Sequence, residues 1–159
     1  MLIATRSGKI NISKEKDTKL VAERLSKLIN LGDFILLTGN LGVGKTTFTK
    51  YFINSLQRIN RQLISEVPSP TFNITNEYQI KKILIKHYDL YRIRNEKELN
   101  NLGIQENLKK QITLVEWPEM VKKLKIKNII SLIFKYNKNY TERYLTIISK
   151  NKKLINEFK

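Results

Sequence analysis

Eight consecutive residues, Gly39-Asn40-Leu41-Gly42-Val43-Gly44-Lys45-Thr46, carry the strongest chemical signal in this chain. They match G-x-x-x-x-G-K-[S/T], a loop whose glycines let the backbone curl until several N–H groups point inward at phosphate oxygens. A helix beginning near Thr46 adds the positive end of its dipole to the same place. Lys45 reaches the terminal phosphates of a nucleoside triphosphate, and the Thr46 hydroxyl takes a position on Mg²⁺. That ion takes one or two protein ligands beside phosphate oxygens and water, so a second ligand is expected. It should be an acid ending a buried strand beside the loop, and Glu116, after Ile112-Thr113-Leu114-Val115, fits. Asp89 is the other candidate, the only aspartate after the loop, ending Ile85-Lys86-His87-Tyr88-Asp89. The strand period of two puts His87 and Asp89 on one face. Ser69-Pro70-Thr71 offers two hydroxyls on a stiff segment, at a place in the chain where nucleotide switches sense the terminal phosphate. Trp117, the only tryptophan, either fills core or meets the nucleotide.

These residues need elements to hold them. Phe34–Thr38 is a short unbroken apolar run, the mark of a strand buried on both faces. Behind the glycine-rich turn, Thr46–Gln57 reads as a helix with Phe48, Tyr51, Phe52 and Leu56 along its inner stripe. Upstream, Lys9–Ile12 alternates as a strand, and Ser13 stands where an N-cap belongs before a helix to about Asn30. Leu20, Val21, Leu25, Leu28 and Ile29 form its apolar face, and Gly32 ends it. Val67-Pro68-Ser69-Pro70 is a loop, because two prolines remove donors and fix φ. Phe72–Gln79 and Lys82–Asp89 alternate as a strand pair. Asn95 caps a helix through Leu102, ended by Gly103. Ile112–Val115 is a second buried strand, and Pro118 opens a turn or helix. Asn128–Tyr136 and Arg143–Ser149 form a hairpin across Asn137–Tyr140. The polar tail over 150–159 is helical or frayed.

Composition narrows the chemistry further. The 159 residues contain 41% hydrophobic and 28% charged residues, ordinary for a globular chain and enough for one cored domain over 1–159. With no cysteine and one histidine, disulfides, thiolate nucleophiles, cysteine-bound zinc and multi-histidine metal sites are excluded. No apolar run approaches the roughly 18 residues of a membrane span, and the start carries no export signal, so a soluble, cytoplasmic protein without membrane partners is expected. The balance of 30 Lys+Arg to 14 Asp+Glu gives a formal charge of +16, a field that attracts polyanions. Lysine is abundant throughout, as in a chain with a biased coding composition, and much of that charge is expected to be plain solvated surface. From Met120 onward eleven Lys+Arg stand against Glu142 and Glu157, giving a basic C-terminal region. No arginine-rich or aromatic-basic RNA module stands out.

Four blocks in order carry a resemblance: Gly39–Lys50 (GNLGVGKTTFTK), Ser69–Ile74 (SPTFNI), His87–Ile93 (HYDLYRI) and Leu114–Glu119 (LVEWPE). Together with Lys97–Gln105 they resemble the bacterial TsaE (YjeE) family, small ATPases of tRNA threonylcarbamoyladenosine (t6A) synthesis, from the first helix through the final hairpin. The resemblance implies an α/β P-loop NTPase fold: a mixed sheet with flanking helices and a C-terminal antiparallel hairpin. It implies ATP/ADP and Mg²⁺ as ligands, with Thr46 and Glu116 at the metal. Lys45 and the backbone of Gly42, Val43, Gly44, Thr46 and Thr47 would hold phosphates. Asp89 would lie near the γ-phosphate or its water, making Lys45, Asp89 and Glu116 the catalytic groups. Ser69 and Thr71 would form the switch loop, with Trp117 near the nucleotide. Glu15 and Thr18 match a segment that borders the base, and Arg143 a hairpin position near the site. The implied partner is the TsaD–TsaB pair, whose threonylcarbamoyl transfer to adenosine 37 of tRNA the ATP cycle supports without performing it; tRNA is reached through that pair. Asn40 departs from the family's common aspartate, and the high charge is not a family hallmark.

Two other classes compete. A small-molecule P-loop kinase needs an acceptor pocket and usually a basic lid; few residues between the strands are free to build either, and the seven arginines are scattered. A nucleotide-switched RNA-binding module would bind tRNA in a salt-dependent way without TsaD–TsaB. No arginine finger is assignable, Arg92 and Arg94 included, so hydrolysis is expected to be slow in isolation.

Overall fold

The computed structural model describes residues 5–159. In chain order the elements are β1 (Thr5–Arg6), β2 (Ile10–Asn11), α1 (Glu15–Ser26), β3 (Phe34–Thr38), α2 (Lys45–Ile59), β4 (Thr75–Ile80) and β5 (Ile83–Asp89). They continue as α3 (Glu96–Asn101), β6 (Gln111–Glu116), β7 (Ile129–Tyr136), β8 (Arg143–Ser149) and α4 (Lys152–Asn156), with short 3-10 turns at Leu108–Lys110 and Val121–Lys123. The strands form one mixed sheet in the order β1-β8-β7-β3-β6-β5-β4, with β2 also paired to β8. Its centre, β7-β3-β6-β5, is parallel, while β4 and the β8 pairings are antiparallel.

Strand β3 shows why an unbroken apolar run is required. Ile35 and Leu37 enter a core built with Val21, Ala22 and Leu25 of α1 and Phe48, Phe52 and Ile53 of α2. Phe34 and Leu36 face the other way, into a smaller core with Tyr88, Leu99, Ile104, Val115 and Val121. Helices α1 and α2 lie side by side, joined by a buried Ser26–Ser55 hydroxyl hydrogen bond of 2.8 Å and an Arg58–Glu23 ion pair of 3.0 Å. The central parallel strands all end at the loop that follows β3: Leu37 lies beside Glu116, and Glu116 beside Asp89. Ligands of open α/β sheets bind outside such carboxyl ends.

Several local expectations are corrected. Helix α1 is capped at Lys14 with no side-chain hydrogen bond; the Ser13 hydroxyl instead accepts from the Arg143 N–H at 2.9 Å. The helix ends at Ser26, and Leu20 is exposed while Thr18, Val21, Ala22, Leu25 and Ser26 make the buried stripe. Phe72 is exposed, and the strand starts at Thr75. Of the two readings of the tail the helical one holds: Leu154, Ile155 and Phe158 close one side of the larger core, and Asn151 caps α4 through the Leu154 N–H. Asn95 does cap α3, accepting from the Glu98 N–H. Among the described residues no helix is long and apolar enough to cross a membrane.

Candidate active site

The loop between β3 and α2 has the shape its glycines permit. A methyl group on Gly39 would lie 2.7 Å from the Phe134 carbonyl oxygen and 2.9 Å from Val43 Cγ1, so only glycine lets the loop leave the strand there. Gly44 has φ 112° and occupies the N-cap of α2 with no side-chain cap. The first-turn N–H groups of that helix are therefore left to an external acceptor. Tyr136, on the C-terminal hairpin, donates its hydroxyl to the Gly42 carbonyl at 3.0 Å and fixes the loop from outside. Nothing in the sequence marks that contact, which joins positions 94 residues apart.

Lys45 is buried and folds back on its own loop, donating to the Gly39 carbonyl at 2.6 Å and the Asn40 carbonyl at 2.9 Å. Its Nζ stands 4.2 Å from the centre of the Trp117 ring, a cation–π position. Desolvation holds its ammonium below the ordinary lysine range, against the upward pull of Glu116, Asp89 and Glu119. The Thr46 hydroxyl donates to Glu116 Oε1 at 3.0 Å. The fully buried His87 meets the same oxygen through Nε2 at 2.9 Å. With Glu116 ionised, Nε2 carries the proton; Nδ1 is left without a partner. Thr46, Glu116 and His87 thus form one line from helix to sheet.

Asp89 is organised differently. Its Oδ2 accepts from the Thr71 hydroxyl at 2.7 Å, with Ser69 Oγ 2.7 Å from Thr71 Oγ1. Its Oδ1 accepts the Tyr91 N–H at 2.9 Å. The carboxylate thereby ties the proline-flanked loop to the strand end. Trp117, at φ 57°, turns back over the site and packs on Tyr91 with ring centres 4.9 Å apart.

A pocket of about 150 Å³ is lined by Leu41, Gly42, Gly44, Lys45, Thr46, Thr47, Ser69, Thr71, Asp89, Glu116 and Trp117. All of these except Leu41 are sequence-predicted residues. Four other predicted residues lie off this lining. The Val43 side chain is core, with its N–H directed to the Asn40 carbonyl. Thr18 donates to the Ile12 carbonyl, and Glu15 accepts from the Tyr51 hydroxyl. Arg143 binds the Ser13 carbonyl at 2.7 Å, and its Nη1 would lie 3.6 Å from a methyl on Gly44, so it flanks the loop. The adjacent Thr46 hydroxyl and Glu116 carboxylate are hard oxygen donors and fit Mg²⁺. The uncapped helix start and Lys45 fit phosphate.

The profile of the family described as Threonylcarbamoyl adenosine biosynthesis protein TsaE matches residues 12–145. The tRNA threonylcarbamoyladenosine biosynthesis protein TsaE of Rickettsia conorii is 34% identical over 141 residues, covering 89% of this chain and 78% of that protein. Its namesake in Rickettsia felis is 37% identical over 113 residues, or 71% of this chain; the match spans only 64% of that relative's length. The crystal structure of YdiB from Bacillus subtilis superimposes with a TM-score of 0.71 at 25% identity, covering 98% of this chain and 93% of that one. With a P-loop NTPase fold and a match over most of its length, the chain belongs to the TsaE family of threonylcarbamoyladenosine biosynthesis proteins.

Proposed function

We propose that this chain binds ATP with Mg²⁺ at the Gly39–Thr46 loop, hydrolyses it slowly alone, and through that cycle supports threonylcarbamoyl transfer to adenosine 37 of tRNA by a TsaD–TsaB pair. The observation that carries the reading is the Thr46–Glu116 hydrogen bond, which sets two hard oxygen ligands side by side next to Lys45 and the open start of α2. Lys45 exchanges two loop carbonyls for phosphate oxygens and offsets the negative charge that builds on the γ-phosphoryl group. The N–H groups of the loop and first helical turn hold the remaining phosphate oxygens. Thr46 and Glu116 would hold Mg²⁺, which when bound neutralises phosphate charge. His87 keeps Glu116 turned toward Thr46. Asp89, already an acceptor for Thr71, orients the attacking water or receives its proton, and so couples the hydrolysed bond to the Ser69–Thr71 loop. No arginine lines the pocket among the described residues, which supports a site that a partner completes.

Calorimetric titration with ATP and Mg²⁺ separates these roles. Lys45→Ala is expected to weaken ATP at least about 10-fold, the scale of lost charged hydrogen bonds. Glu116→Gln should bind ATP within a few-fold of the parent yet lose Mg²⁺-dependent hydrolysis on the order of 100-fold. Unchanged hydrolysis in Glu116→Gln would remove Glu116 from the metal role.

A further inference from the structure

The helical cover of the sheet is incomplete. On the face of the smaller core, α3 and the 3-10 turns pack over β3, β5 and β6, and the cover ends at the half-buried Ile129 of β7. Beyond it, the same face of β7, β8 and β1 is open. Strand register lines up Ser131, Ile148 and Arg6 in one row, Ile133 with Thr146 in the next, and Lys135 with Tyr144 in a third, all half-buried or exposed.

Two hollows run along this face. One, of about 560 Å³, is lined by Arg6, Lys9, Lys135, Lys138 and Tyr144. It continues past Ile148 into a second of about 530 Å³ that includes Lys127 and Lys150. Each is larger than the nucleotide pocket. None of these six cations is ion-paired among the described residues; the ion pairs of the chain lie elsewhere. Two acids border the trough. Glu142 accepts the Tyr144 hydroxyl at 2.9 Å, and desolvation raises the Asp33 carboxyl above the ordinary range, against a lowering hydrogen bond from the Asn30 N–H.

We propose that this trough is a direct binding face for an RNA strand, with the six cations on its phosphates and Tyr144 stacking beneath a base. Unpaired cations around a concave surface hold a polyanion. Lysine is depleted at protein–protein interfaces, so a lysine-lined trough fits a phosphate backbone better than an acidic protein. A half-exposed tyrosine on an open sheet face is a stacking platform that tolerates any base. The choice of RNA over DNA rests on the family's tRNA chemistry; the charge argument does not. The trough shares no lining residue with the ATP pocket, but Lys135 and Lys138 border Asn40 and Val43 of the phosphate loop.

Binding of a labelled, unmodified tRNA transcript to the full chain, followed by anisotropy over a range of KCl concentrations, tests the proposal. The variant Lys9→Glu/Lys135→Glu/Lys138→Glu is compared with Lys27→Glu/Lys82→Glu/Lys97→Glu, which changes charge equally at exposed lysines elsewhere. ATP titration of both variants reports that the fold and the phosphate loop are intact, whatever becomes of RNA binding. The trough variant is expected to lose at least about 10-fold in affinity, and its salt slope should shrink by about 2–3 for three lost phosphate contacts. The control should keep most of both. Equal loss in the two variants, or no loss in the trough variant, overturns the proposal. So does equal affinity for a DNA strand of the same length, or tighter trough-dependent binding of poly-glutamate, which would make the occupant an acidic protein.

Discussion

His87 carries no exposed surface, yet its Nε2 fixes the carboxylate that meets Thr46. Groups that orient a metal ligand commonly change metal affinity 10–100-fold when removed. His87→Ala is therefore expected to raise the Mg²⁺ concentration needed for half-maximal hydrolysis by about 10-fold, with ATP affinity in the absence of Mg²⁺ unchanged; His87→Gln, which keeps a donor, should recover part of the loss. An unaltered Mg²⁺ requirement in His87→Ala would leave the histidine a packing residue. Its neighbour Tyr88 faces the smaller core, where desolvation, helped by Glu77 and Glu106, pushes its phenol up to about 12 from 10.0. The folded chain keeps that proton while the unfolded chain loses it, so the contribution is full below pH 10 and is lost as pH rises through about 12. Two pK units correspond to on the order of 2–3 kcal/mol. Urea denaturation across that window should show a steeper loss of stability in the parent than in Tyr88→Phe; parallel curves would contradict it.

At the scale of elements, legibility followed how local the determining forces are. Strands β3 and β6 were readable because an unbroken apolar run has few other solutions, and α3 because Asn95 and Gly103 punctuate both ends. The Lys45–Thr46 turn was readable for the same reason, and Glu116 because it ends a buried strand. Ser13 misled, since a serine before a helix serves a hairpin N–H as readily as its own helix. Leu20 misled because spacing alone does not say where α2 lies. The two-residue strand β1 is specified only by its partner β8. The contact of Tyr136 with Gly42 and the off-pocket positions of Glu15 and Thr18 depend on how distant elements dock. A helix in the tail was one of two readings, but its docking was hidden by its lysines, which sit outside while Leu154 and Ile155 turn inward. Leu154→Ala is expected to cost about 2–5 kcal/mol by urea denaturation, with ATP affinity retained at a temperature where both proteins are folded. A loss below about 0.5 kcal/mol would return the tail to the status of an appendage.

Across the whole molecule, chemistry gathers at the carboxyl ends of the parallel strands, where the β3 loop, β5 and β6 bring Lys45, Asp89 and Glu116 to one pocket. The Ser69–Thr71 loop hangs from Asp89, and Trp117 from the end of β6, so a change in the pocket reaches two surface segments at once. With the proposed ATP bound, such a site is suited to reporting its state to the proposed partner. Among the described residues no arginine lines the pocket, which fits the slow hydrolysis proposed for the chain alone. The proposed activity is that of an ATPase whose turnover belongs to t6A synthesis. Its most direct measurement is ATP hydrolysis with Mg²⁺ by the full chain, alone and with added TsaD–TsaB, scored beside t6A formed on tRNA. Slow hydrolysis that rises at least about 10-fold with the pair, accompanied by repeated rounds of t6A formation, is the expected result. Hydrolysis indifferent to TsaD–TsaB, with t6A formation the same whether or not the chain is present, would contradict it.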